Sequence, residues 1–449
     1  MKQHSLSPCD AEVLRRLREE MTACLTGNIL PFWLTHMQDH ERGGWYGRMT
    51  GRGQVEKDAP RGAILYARLL WTFSAAYRVL RGSSASAQYL QAATMTKDYI
   101  LKHFIDREHG GTYWSITADG QPLDTKKQFY AIGFMIYGFS EYARATADSD
   151  DAAHRQAGTE ALATALQLFE VIERHAWDCE HGGYIEACTR DWQPIADMRL
   201  SDKDENYPKS QNTHLHIIEP YTNLLRTIHN SQFIIHNSQF IIHNEADAQT
   251  IEPETIMNFE LCIMNSVRSL LSLFTDHILN PATHHLDLFF AMDWTRMSTA
   301  ESYGHDIECS WLMHEAAMVL ADARVIKEVE PVVREVATAS EKGLLSSGAM
   351  IHESGDADLH WWVQAEAVVG FFNLYQHFGD EAALTKALGV WSFIQEHLID
   401  YENGEWYWSV REDGRVNLDD DHAGFWKCPY HNGRMCLELI ERIGSMLVS

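Results

Sequence analysis

Gly110-Gly111-Thr112-Tyr113-Trp114 has three close relatives elsewhere in this 449-residue chain: Gly43-Gly44-Trp45-Tyr46, Gly182-Gly183-Tyr184 and Gly404-Glu405-Trp406-Tyr407-Trp408. Several of these stretches continue into a polar turn, such as Ala118-Asp119-Gly120 or Glu412-Asp413-Gly414, the pattern of a β-hairpin. Between them lie segments whose apolar residues recur at helical spacing. These segments fall near 10–24, 62–80, 87–103, 129–146, 156–175, 211–227, 255–277, 305–323, 329–343, 361–378, 383–398 and 430–447. Long Gly- and aromatic-rich loops follow every odd segment, near 37–60, 104–125, 176–208, 278–303, 344–358 and 399–428, whereas the even segments mostly end in short connections.

The repeating unit is therefore helix, hairpin loop, helix, with a period of about 60–75 residues. Six such units predict an all-α fold, an (α/α)6 barrel or six-hairpin toroid. The even helices line it, the odd helices surround it, and short β-hairpins in the long loops gather at one end. An open helical solenoid is the alternative. Closure is preferred because it brings all six long loops together. No linker divides the chain, which reads as one catalytic domain over 1–449. One stretch breaks the pattern: His229-Asn230-Ser231-Gln232-Phe233-Ile234-Ile235 is repeated unchanged at 236–242, and His243-Asn244 begins a third copy. This reads as a surface insertion at 229–243 rather than a metal-binding His tract.

Lys and Arg total 37 against 63 Asp and Glu, a formal charge of −26. That balance, with no basic run, excludes nucleic acid and anionic membrane surfaces as partners. No apolar run is long enough for a membrane span, and the N-terminus lacks the apolar core of a secretory signal. Eight scattered Cys without a CxxC pair read as reduced thiols of a cytoplasmic protein. The excess lies in 14 Trp, 17 Tyr, 18 Phe and 24 His. Aromatic rings in polar, Gly-rich loops suit stacking on the C–H faces of sugars.

Conspicuous polar residues sit at the starts of the even helices: Arg61, Tyr130, Asn212 with His214 and His216, His305 with Glu308, Trp361 and Trp362 with Glu366, and His431. If those helices line the barrel, all these ends face one pocket, where free helix N–H groups favour developing negative charge. Of the alternating pair His214 and His216, at most one reaches the pocket. No HExxH, no Cys cluster, no placed GxGxxG and no P-loop is present, so neither a metal, a dinucleotide nor any other cofactor is expected.

Four blocks resemble the N-acylglucosamine 2-epimerase superfamily, most closely its disaccharide-acting branch. They are 209–216 (KSQNTHLH) with 219–223 (EPYTN), 304–308 (GHDIE), 361–366 (WWVQAE) and 426–432 (WKCPYHN). Tyr303 and the stretch from His284-His285-Leu286 to Asp293-Trp294 fit as well, and the likeness runs from about residue 10 to 445. The resemblance implies an (α/α)6 barrel and cofactor-independent inversion of C2 in the reducing-end glucose of β-1,4-linked disaccharides such as cellobiose, lactose or mannobiose. It places the two acid/base histidines on His305 and His431, the supporting glutamate on Glu308 and the arginine on Arg61. Sugar binding falls on Tyr130, Asp204, Asn212, His216, Trp362 and Trp426, and Glu366 joins them from its place at a helix start. The expected partner is a small reducing disaccharide, handled by a monomer or weak homodimer.

The chemistry is consistent with this. Opening the sugar to its aldehyde makes the C2 proton acidic, because its removal gives an enediolate. A base on one face of C2 and an acid on the other can then invert it. Two imidazoles suit both roles near neutrality. Glu308 would orient His305, and Arg61 would stabilise the O1 anion. The rivals are an aldose–ketose isomerase or an N-acylglucosamine 2-epimerase on the same fold. A glycoside hydrolase using Glu308 and Glu366 and a non-catalytic sugar binder are more distant.

Overall fold

The structure, a computed structural model, describes residues 8–229, 240–244, 247–251 and 253–448. Most of the proposed insertion, residues 230–239, lies outside the described residues. Its end, Phe240–Asn244, pairs antiparallel with Asp247–Ile251.

Twelve long helices are present among the described residues: α1 (Pro8–Cys24), α2 (Ala63–Val79), α3 (Ser86–His103), α4 (Phe129–Thr146), α5 (Ala152–His175), α6 (Gln211–His229), α7 (Pro253–Leu273), α8 (Tyr303–Leu320), α9 (Ala323–Ser340), α10 (Trp361–Phe378), α11 (Glu381–Phe393) and α12 (His431–Val448). The even helices pack in a closed ring, α2–α4–α6–α8–α10–α12 and back to α2, while α3, α5, α7, α9, α11 and α1 pack outside. This is the (α/α)6 barrel.

The sequence explains which helices go inside. Helix α4 (FYAIGFMIYGFSEYARAT) is buried along nearly its whole length, as a helix surrounded by others must be. Outer α9 buries only Val329, Val333, Val336, Ala337 and Ser340, a single stripe. Periodicity alone places the start of α9 at 329. It begins at Ala323, because Asp322 caps it by accepting a hydrogen bond from the Arg324 N–H. Outer helices α5 and α11 have similar caps from Asp151 and Asp380.

The inner helices start differently. No side chain caps α2, α4, α8 or α10. Instead, the first N–H groups are taken by carbonyls of the next repeat's long loop: Ala63 by Trp114, Phe129 by Glu186, Gln211 by Leu288, Gly304 by His352 and Trp361 by Trp408. Two-residue antiparallel pairings join the same loops around the ring, such as Arg61–Gly62 with Ser115–Ile116 and Leu359–His360 with Ser409–Val410. A Met49–Ala423 bridge closes first repeat to last. In the first three long loops a Gly-Gly pair makes the reversal. Gly110 and Gly111 have φ of 78° and 66°, the left-handed region that glycine enters at little cost. The loop end is thus a β-stitched collar around the mouth of the barrel.

Candidate active site

A cavity of about 450 Å³ opens inside that collar. Its wall takes Arg68 from α2, Tyr130 from α4, Asn212 and His216 from α6, His305 and Glu308 from α8, Trp361 and Trp362 from α10, and His431 from α12. The loops add Asp204, His352, His360, Trp408 and Trp426.

His305 and His431, 126 positions apart in the chain, reach this one cavity. The indole of Trp362 packs against both, with ring centroids 4.9 Å and 5.6 Å away. Each imidazole is held by Nδ1. The Ser302 hydroxyl lies 2.7 Å from Nδ1 of His305, and Oε1 of Glu366 lies 2.7 Å from Nδ1 of His431. Burial, together with neighbouring imidazoles at His305 and the Arg68 and Arg434 guanidiniums at His431, pulls both rings well below the usual histidine range.

Behind the cavity, Arg434 gathers three carboxylates from three helices. Its Nη2 donates to Oε1 of Glu308 at 2.8 Å and Oε1 of Glu366 at 2.7 Å, and its Nη1 donates to Glu219 and Tyr430. One guanidinium cannot neutralise three buried acids, so their titrations separate. Arg434 and His216 hold Glu219 down at about 2, whereas burial and the Glu366 charge push Glu308 well above the carboxylate range. Burial raises Glu366 as well, but less, so Glu308 is the one of the three that most readily holds a proton. Its Oε2 has no hydrogen-bond partner and lies 3.9 Å from Nε2 of His216.

His216 is placed by a kink. Pro220 removes the N–H that would bond the His216 carbonyl, and the helix breaks there (φ −92°, ψ 15°). Gly133 makes room, since a Cβ at that position would fall 2.6 Å from that carbonyl oxygen. Glu219 then holds Nδ1 of His216 at 2.9 Å. His214 packs away from the cavity, between the Ser210 carbonyl at 2.6 Å and the Tyr184 N–H at 2.9 Å.

Three of the expected placements change. Arg61 is not on the cavity wall. It is fully buried, with Nη2 2.6 Å from Asp39 and Nη1 donating to the Gly43 carbonyl and the Tyr99 hydroxyl. Lys127 makes the same pair of contacts with Asp106 and Gly110, and Lys209 with Asp178 and Gly182. Arg61 is thus the first of a repeated set of loop-locking cations, a correspondence already present in the repeat. The guanidinium in the cavity is Arg68, whose Nη2 donates to the Tyr130 hydroxyl at 2.9 Å while its plane lies over the Phe134 ring. Glu308 does not touch His305, because Ser302 takes that position. Glu366 stands behind His431 rather than in the sugar's path, also accepting from Trp311 Nε1 at 3.0 Å.

The other expected residues, Tyr130, Asp204, Asn212, His216, Trp362 and Trp426, all line the cavity. Asp204 accepts from the Ser201 backbone and hydroxyl, which shapes that part of the wall. The sequence reading missed Arg68, Ser302, Arg434 and Glu219.

The N-acylglucosamine 2-epimerase (GlcNAc 2-epimerase) family model matches residues 44–243 and 260–432. A cellobiose 2-epimerase from Bacteroides fragilis is 49% identical over 94% of this chain and 98% of its own. Two solved cellobiose 2-epimerases share the fold, each with a TM-score of 0.81. That from Bacillus thermoamylovorans B4167 is 34% identical, covering 95% of this chain and 100% of its own. That from Spirochaeta thermophila is 35% identical, covering 97% and 98%.

Proposed function

This chain belongs to the N-acylglucosamine 2-epimerase family and is a carbohydrate epimerase, and on that premise we propose that it inverts C2 of the reducing-end glucose of β-1,4-linked disaccharides, cellobiose to glucosyl-mannose among them. The observation that carries the reading is the convergence of His305 and His431 on one cavity, against the same indole.

Glu366 keeps Nδ1 of His431 turned inward, which leaves the Nε2 lone pair for the C2 proton. Ser302 can accept from Nδ1 of His305, so that this ring, when protonated, would supply a proton through Nε2 and be left neutral while His431 takes the C2 proton. The two exchange roles with direction. Arg68, on the cavity wall with its Nη2 donating to Tyr130, is the guanidinium available to stabilise charge gained by the enediolate oxygens. Trp362 and Trp426 offer faces to the sugar rings, and Asp204, Asn212 and His216 take hydroxyls. No redox or metal step is required by this chemistry.

A hydrolase reading finds less support. Glu308 and Glu366 share the same Arg434 nitrogen rather than flanking a space wide enough for a glycosidic bond. We read the whole chain as one catalytic domain; its eight cysteines are all free, and no described helix is long and apolar enough to cross a membrane.

The test is cellobiose in D₂O with EDTA and no nucleotide, followed by NMR. Glucosyl-mannose carrying deuterium at C2 is expected. Glucosyl-fructose as the main product would assign an aldose–ketose isomerase, and free glucose a hydrolase.

A further inference from the structure

At the cavity wall, outside the proton-transfer machinery, three metal-type donors converge, two of them, His352 and His360, lining the cavity. His352, Asp356 and His360 each offer one ligand atom, and these atoms all lie within 4.8 Å of one another. Asp356 Oδ2 is 3.4 Å from Nδ1 of His352 and 3.0 Å from Nε2 of His360. A tetrahedral ion bound at the usual 2.0–2.2 Å has ligand-to-ligand edges of about 3.3–3.6 Å, so small side-chain shifts would seat it. We propose that this trio is a binding site for a divalent transition metal of the zinc–cobalt–nickel class, with an open position for water or a sugar hydroxyl.

The donor chemistry sets the class. Two imidazoles and one carboxylate suit borderline ions, whereas Mg²⁺ and Ca²⁺ prefer all-oxygen shells. The surroundings leave the right atoms available. Asp356 spends Oδ1 on the Asp358 N–H and keeps Oδ2 for the imidazoles. All three side chains are partly exposed, so an ion has a way in. The Nε2 atom of His352 is buried without a hydrogen-bond partner, and its ring lies 5.9 Å from that of His305. Metal on Nδ1 would fix the tautomer that carries its proton on that Nε2.

Another convergence of similar ligands, Glu308, Glu366 and His431, is different. There Arg434 already supplies the cation to both carboxylates. Among the described residues, no Arg or Lys contacts the carboxylate of this trio. It also ties two catalytic elements together. The His352 carbonyl accepts from Gly304 at the start of α8, and His360 directly precedes α10. An ion there would brace the helix ends that carry His305 and Trp362.

The test uses untagged protein stripped with EDTA. Titration with Co²⁺ should give visible d–d bands that saturate at one equivalent, and Zn²⁺ should displace it and raise the melting temperature. His360→Gln and Asp356→Asn should each weaken Co²⁺ binding by about a hundredfold. Anomalous scattering from a Co²⁺-soaked crystal should peak within the trio, a readout that does not depend on either variant folding. No binding at millimolar Co²⁺, unchanged affinity in both variants, or a peak elsewhere overturns the proposal. Because metal binding is read directly, its failure is distinct from failure of the epimerase reading, which is tested with EDTA present.

Discussion

Oε1 of Glu366 stands 2.7 Å from Nδ1 of His431 and shares that carboxylate with Arg434 and Trp311. A carboxylate in this position selects the tautomer in which Nδ1 carries the proton and Nε2 is a base. An amide can present its NH₂ instead and reverse that choice, and in a serine-protease triad such an inversion costs on the order of 10⁴ in turnover. Glu366→Gln is expected to lower kcat by about 10²–10⁴-fold, with KM little changed. Steady-state kinetics on cellobiose check this, and a variant that keeps wild-type kcat would remove Glu366 from the proton-transfer machinery.

Glu308 should behave in the opposite way. Burial and the neighbouring Glu366 charge push its carboxyl well above the usual range, which favours the neutral acid. Glutamine reproduces a neutral carboxylic acid in shape and can still accept from Arg434. Glu308→Gln should therefore change unfolding free energy by no more than about 1 kcal/mol, whereas Glu308→Ala leaves a gap and strands a guanidinium N–H, at a cost of about 2–4 kcal/mol. Urea unfolding of the two variants side by side separates these outcomes. Equal losses in both would mean that the carboxyl is ionised.

A pH-dependent loss of stability follows from His214. Burial pulls its imidazole down to about 4, and its two ring nitrogens are committed as a donor to Ser210 and an acceptor from Tyr184. The folded value lies below the unfolded value of about 6.5. Between these two, the unfolded chain binds one proton more, so stability falls as pH falls. This one group contributes a slope of up to about 1.4 kcal/mol per pH unit from pH 6.5 to pH 4 and none below. Unfolding midpoints measured across that range should show the slope in the wild type and a shallower one in His214→Asn. Parallel curves would show that His214 does not account for it.

The barrel was legible for definite reasons. Inner helices such as α4 are apolar along most of their surface, outer helices such as α9 on one stripe, and long Gly- and aromatic-rich loops mark every second connection. Six units with this alternation leave few other ways to bury the inner set. The cavity was legible to the extent that its residues sit at helix starts, as Tyr130, Asn212, His305 and His431 do. What escaped lies elsewhere. Arg68 sits inside an apolar helical run, AILYARLLWTF, where a charged residue demands a buried partner, and that was the available signal. Ser302 is a loop serine like many others until the fold brings it to His305. The Arg434–Glu219 pair joins positions 215 residues apart, and nothing in one sequence links them.

Arg61 and Arg68 provide the sharpest test of this division between scaffold and site. Both are buried arginines near the start of α2, only seven residues apart. Arg61 forms an ion pair with Asp39 in which both side chains are 1% exposed. Removing one member of such a pair leaves the other charge buried and unmatched, which costs about 3–5 kcal/mol. Arg61→Met should therefore lower the melting temperature sharply while the protein that remains folded turns over at close to the wild-type rate. Among the described residues, Arg68 has no carboxylate within bonding distance; it donates to Tyr130, lies over aromatic rings and lines the cavity. Arg68→Met should reduce kcat by about 10²–10³-fold, the usual cost of one donor to a developing oxyanion, with a much smaller change in melting temperature. Melting curves and kcat per folded molecule, measured on both variants, decide the matter. If Arg61→Met abolished turnover in fully folded protein while Arg68→Met left it intact, the oxyanion would have to be stabilised from the Arg61 side of the collar.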